Sequence, residues 1–168
     1  MIRWLLLIPL ALLIAIGAGT LFLFVASLVD PLMGSLTGDT LLVGFWVFVD
    51  EVFASEDPGP MIAEAAFAVA RVAFLLLAFP PILVAVVSEV IRARSLVWHM
   101  GAMGALTAAI PWVLRGSARV ATPAELHVSA VLGLTGAVAG LVYWAIAGRD
   151  AGGARPAPNP PLPGGTAR

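Results

Sequence analysis

The chain contains no cysteine and no lysine, a single tyrosine, and only 11% charged residues in its 168 positions. Each shortage removes something. Without cysteine there is no disulfide framework, no thiolate-held zinc or iron–sulfur site and no thiol nucleophile. With nine basic residues, all arginine, against ten acidic ones, the net charge of −1 leaves no electrostatic footprint for nucleic acid. Charge this sparse, with 61% hydrophobic residues and a mean hydropathy of +1.02, lies far outside the range of soluble domains, where roughly 25% of residues are charged. The composition therefore defines a membrane protein, with the lipid bilayer as its first partner. The arginine-only basic set, with abundant Ala, Gly, Pro and Val, fits a GC-rich bacterial genome.

Crossing a hydrocarbon core about 30 Å thick takes roughly 20 apolar helical residues. Four segments approach that length, at about 4–29, 61–90, 96–114 and 126–147. The expected fold is all-α, an integral membrane four-helix bundle over 1–148. The sequence 149–168, "RDAGGARPAPNPPLPGGTAR", has too little apolar surface to offset its ordering entropy and reads as a disordered Pro/Gly-rich cytoplasmic tail. The first segment has an alternative reading as a signal peptide, with "MIRW" as its charged start. Its apolar run to Val29 is longer than such segments usually are.

Arginine bias orients the bundle. Arg3, Arg92, Arg94, Arg149 and Arg155 fall on one side of the four spans, and Arg115 and Arg119 on the other. Both termini are then cytoplasmic, in a bacterial inner membrane. The first connection carries Asp30, Asp39, Asp50, Glu51, Glu56 and Asp57 and no basic residue, consistent with an outward position. Within it, "LLVGFWVFVDEVFA" (41–54) is too short to cross. It reads as a helix in the outer interface, with Phe45, Trp46, Phe48 and Phe53 among the headgroups, or alternatively as a re-entrant helix.

The second span places Arg71 in an apolar run. About a dozen Val, Leu, Ile and Phe residues contribute roughly −0.3 to −0.6 kcal/mol each to insertion, against about +2.5 to +3.5 for one central arginine, so the segment still inserts. Ten residues after Met61, the Arg71 backbone is expected about 15 Å below the outer boundary, near the midplane. A charge there needs a partner. Glu64 lies seven residues earlier on the same face, and Glu125 and His127 open the fourth span on the same side. These four residues form a candidate polar cluster, either fixing helix register or acting as a relay or anion site. Pro80 and Pro81 remove two donors and free carbonyls near Leu76 and Leu77. The expected result is a helix kink, with a hinge or cation-coordinating role as the sharper alternative.

Other chemistry is sparse. His99 and His127 enter from opposite sides and cannot share one haem iron, and neither a phosphate loop nor an HExxH motif is present, so no metal or cofactor is expected. Gly133, Gly136 and Gly140 form a small-residue face suited to close helix packing, within the bundle or against another subunit. Tyr143 and Trp144 read as interfacial anchors.

The ending "GLVYWAIAGRDAG", a glycine-rich helix closed by an aromatic pair and a glycine–arginine exit, resembles the last helix of small uncharacterised inner-membrane proteins of alphaproteobacteria. The resemblance implies a location and no activity. The function expected on these grounds is that of a non-enzymatic accessory or structural subunit of a larger membrane complex. Its partners would be other membrane subunits or copies of itself. The alternative is a small transporter or channel component built around Arg71. A membrane enzyme using Glu64, Glu125 and His127 ranks third.

Overall fold

A computed structural model describes residues 6–35, 38, 41–116 and 120–151, and these residues are helical with no strand among them. Helix α1 is Ile8–Val29, α2 Pro31–Ser35, α3 Leu41–Ala54, α4 Pro58–Ala73, α5 Phe79–Ile91, α6 Leu96–Arg115 and α7 Pro123–Ile146. A π-helical turn, Phe74–Ala78, joins α4 to α5, so Pro58–Ile91 is one interrupted rod of 34 residues. Four helices are long and apolar enough to cross a membrane: α1, the α4–α5 rod, α6 and α7. Arg3, Arg119, Arg155 and the expected tail beyond Ala151 lie outside the described residues.

Local chemistry sets the helix ends. Pro58 and Pro123 stand in the first turns of α4 and α7, where a missing N–H costs nothing. Ser95 and Thr122 cap α6 and α7 by accepting from the Trp98 and Glu125 amides. The α5–α6 connection is short enough to force Arg92 into the left-handed region at φ 57°, with the Ala93 amide bonded back to the Ser88 carbonyl.

The core lies among α1, α5, α6 and α7, where Ala11, Ala15, Val84, Ala85, Met103, Ala139 and Tyr143 are almost completely buried. The α6–α7 pair is the closest, and glycine makes it so. A Cβ on Gly136 would lie 2.5 Å from both the Met103 carbonyl oxygen and Thr107 Oγ1, and one on Gly140 would overlap the His99 carbonyl. Gly133 is less constrained, 3.4 Å from Ala108 Cβ. These contacts lie within the chain.

The spans alternate in direction, giving the bundle two ends. One gathers Asp30, Arg115, Glu125 and His127, and is called here the His127 end. The other gathers Ser88, Trp98 and Trp144. Outside the bundle, α3 packs on α4, and neither helix buries a single residue.

Candidate functional site

The four residues of the candidate polar cluster are distributed differently from the sequence expectation. Glu125 accepts from the Arg115 guanidinium at 3.0 Å. It also closes a capping box, its second oxygen accepting from the Thr122 amide at 2.8 Å while Thr122 Oγ1 accepts from the Glu125 amide. His127 Nε2 pairs with Asp30 Oδ2 at 2.5 Å, tying the start of α7 to the end of α1. Glu64 and Arg71 remain exposed on α4. Asp30, Arg115 and Thr122 are the members that the expected cluster left out. The signals were there: Thr-Pro-Ala-Glu at 122–125 is a capping-box spacing, and Asp30 stands before a proline at a helix start.

Counting from the other end of the rod places Arg71 nearer the His127 end of the bundle than counting from Met61 suggested. Trp98 Nε1 donates to Ser88 Oγ at 2.9 Å, which sets the antiparallel register of α5 and α6. Arg71 is 17 residues before Ser88 (88 − 71) and Arg115 is 17 after Trp98 (115 − 98), so the count brings the two arginines to similar heights, the π turn shortening the rod's side. Leu75, one turn after Arg71, accordingly lines a recess with Ile110, Val113 and Leu114 near the end of α6. The rod starts earlier and runs longer than expected, so Arg71 falls at the His127 end and not at mid-bundle. Most of α4 extends past it.

At that end Asp30 does two jobs. Its Oδ1 accepts from the Leu32 and Met33 amides, at 3.0 and 3.1 Å, and its Oδ2 holds His127. The Met33 amide and then His127 keep its pKa below the ordinary 3.8. At the same end of the bundle, Trp112 donates to Ser129 Oγ at 2.7 Å and lies under the Arg115 guanidinium, bordering a recess of about 210 Å³.

The opposite end is aromatic and basic. Ser88 Oγ donates to the Val84 carbonyl and accepts from Trp98, Trp144 donates to the Arg94 carbonyl, and Arg149 stacks over Trp144 at 4.5 Å. Tyr143, expected as an anchor at the interface, is instead fully buried against the His99 ring. The reason is helical phase: Tyr143 shares the face of Gly136 and Gly140, which is pressed against α6. His99 is itself fully buried, with Nδ1 bonded to the Ser95 carbonyl at 2.9 Å. Among the described residues no group of three or more His, Cys, Asp or Glu is placed to hold a metal ion.

Pro80 and Pro81 are buried where α5 meets the other spans, directly after the π turn. Phe79 N–H bonds to the Phe74 carbonyl five residues back, a widened turn that makes room for two consecutive proline rings. The remaining uncovered feature is the α3–α4 hairpin. Between its helices runs an apolar groove of about 920 Å³, bordered by Phe45, Phe48 and Ile62 and floored by Gly44, Ala65 and Ala66.

Comparison with family models, curated proteins and solved structures gives no match. Four apolar helices of spanning length define the class, that of a multi-pass membrane protein.

Proposed function

We propose that this chain is a non-enzymatic accessory subunit of a larger membrane complex in a bacterial inner membrane, with both termini cytoplasmic and the His127 end outward. The α3–α4 hairpin carries the reading. By the Ser88–Trp98 register Arg71 stands near the end of α6, and the twelve α4 residues from Pro58 to Val69, roughly 18 Å of helix, pack mainly on α3 and not on the bundle. This extension and α3 are nevertheless apolar, with Trp46 60%, Phe53 83%, Phe67 80% and Val69 70% exposed. Lipid tails or a partner helix can cover such a surface, and the groove in it favours the helix.

The groove selects that cover. Its small floor residues admit another helix at close range. The sequence from Asp30 to Ala70 carries seven acids and no basic residue, which disfavours an anionic headgroup layer and suits a partner protein with an arginine or lysine rim. A transporter working through Glu64, Arg71, Glu125 and His127 is the second reading. It is ranked lower because Glu125 and His127 are engaged with Arg115 and Asp30, away from α4.

The experiment is affinity purification from native membranes in mild detergent, comparing the wild type with Ala66→Trp, which fills the groove floor. A stoichiometric partner that is lost in the variant, at unchanged thermal stability, supports the reading. A wild-type protein that comes down alone overturns it, and Arg71-dependent flux in proteoliposomes would then favour transport.

A further inference from the structure

At the centre of the bundle all four spans meet around a cavity of about 10 Å³. It is lined by Gly19 of α1, Leu76 and Leu77 of the π turn, Pro81 of α5, Thr107 of α6 and Thr135 of α7. A space of this size accommodates one water-sized guest.

The hydrogen-bonding character of the walls is one-sided. Thr107 Oγ1 donates its only proton to the Met103 carbonyl at 2.8 Å, and Thr135 Oγ1 donates to the Val131 carbonyl at 2.9 Å. Both threonines are at most 2% exposed, and their hydroxyls keep lone pairs with no proton to give. The Leu76 carbonyl faces the same shortage. Its donor in an α-helix would be residue 80 and in a π-helix residue 81, and both are proline. The site thus offers acceptors and needs a donor.

We infer that this cavity holds one bound water, which donates one hydrogen to the Leu76 carbonyl and shares the other between the Thr107 and Thr135 oxygens. A small monovalent cation would also satisfy acceptors. However, none of the lining residues is charged, and an unpaired ion in so apolar a surround is far costlier to place than a water. The water ties the rod, at its π turn, to α6 and α7 at the point where α4 begins. It therefore fixes the direction in which the hairpin leaves the bundle. That last consequence rests on the accessory-subunit reading, while the water itself does not.

The test is thermal unfolding of the purified full chain in detergent. Thr107→Val and Thr135→Val should each lower the midpoint by several degrees, and Thr135→Ser, which keeps the oxygen, should recover most of the loss. In a Pro81→Ala background, where position 81 regains an N–H for the Leu76 carbonyl, Thr135→Val should have less than half its effect. Equal effects in both backgrounds, or no effect of either valine in the wild type, would overturn the water. So would a midpoint raised by sodium chloride over choline chloride at equal ionic strength, which would identify an ion. If the Pro81→Ala protein does not fold, the valine, serine and salt measurements still decide. Where a partner co-purifies, Thr135→Val should weaken its retention. Unchanged retention with a positive thermal result would remove the hinge role and leave the water.

Discussion

The α6–α7 pair and the α3–α4 hairpin are both built of apolar helices, with small residues throughout the pair but in the hairpin mainly on α4, and one is closed while the other is open. On α7, Gly136 and Gly140 face backbone atoms of α6 so closely that no side-chain carbon fits between them. On α3, Gly44 faces open space, and α4 with its run of alanines leaves a groove. Small residues therefore have two settings here, a contact filled by a neighbouring helix of the same chain on α7 and an open groove beside α4.

Adding one carbon breaks the closed half most sharply. Gly140→Ala and Gly136→Ala should each destabilise the fold by about 1–3 kcal/mol, because overpacking against backbone outweighs the roughly 0.5–1 kcal/mol that alanine gains in helix propensity. At Gly44 and Gly101, where a Cβ meets nothing within 4 Å, the propensity term stands alone and alanine should stabilise by about 0.5–1 kcal/mol. Thermal or denaturant unfolding of the four variants checks both signs.

Glu125→Ala removes the capping box and the Arg115 pair together and should cost about 1–2 kcal/mol by the same measurement. Arg71→Leu, in the open half, should change stability by less than about 0.5 kcal/mol, since its side chain is exposed. A larger loss would mean that Arg71 is held within the chain, and the contrast between the halves would weaken.

The smallest effect concerns pH. Asp30 has a lowered pKa, so its contribution is complete above the ordinary carboxylate value of 3.8 and is lost as pH falls through the depressed value. Stability from this residue should stay flat from neutrality down to about pH 4 and decline below it, and Asp30→Asn should flatten that acid limb. Scans of the unfolding midpoint against pH for the two proteins provide the comparison.

Much of the architecture was legible because it depends on composition and period. Among the described residues the long helices end within a few residues of the four segments expected to span, and the helix at 41–54 coincides with α3, since long apolar runs and proline at helix starts are local signals. Whether α3 lies in an interface or re-enters a bilayer is a question of position and not of helicity. The candidate site was much less legible. The proposed grouping of Glu64, Arg71, Glu125 and His127 rested on counting depth from one end of a span, and the rod proved 34 residues long with a π turn in it. Tyr143 was misplaced for a related reason, because a residue's distance from a helix end does not reveal which face it occupies.

By itself, then, the sequence determined that the chain is helical, apolar enough to span a membrane four times, and without cysteine chemistry, because these follow from residue type and local spacing. Only the tertiary structure decided that Glu125 belongs to Arg115 and His127 to Asp30, that Tyr143 and His99 share the core, and that Leu76, Thr107 and Thr135 surround one cavity. Those pairings depend on the relative register and rotation of helices far apart in the chain. Register and rotation are set by close packing at a few glycines and by hydrogen bonds such as Trp98 to Ser88, which no local pattern specifies.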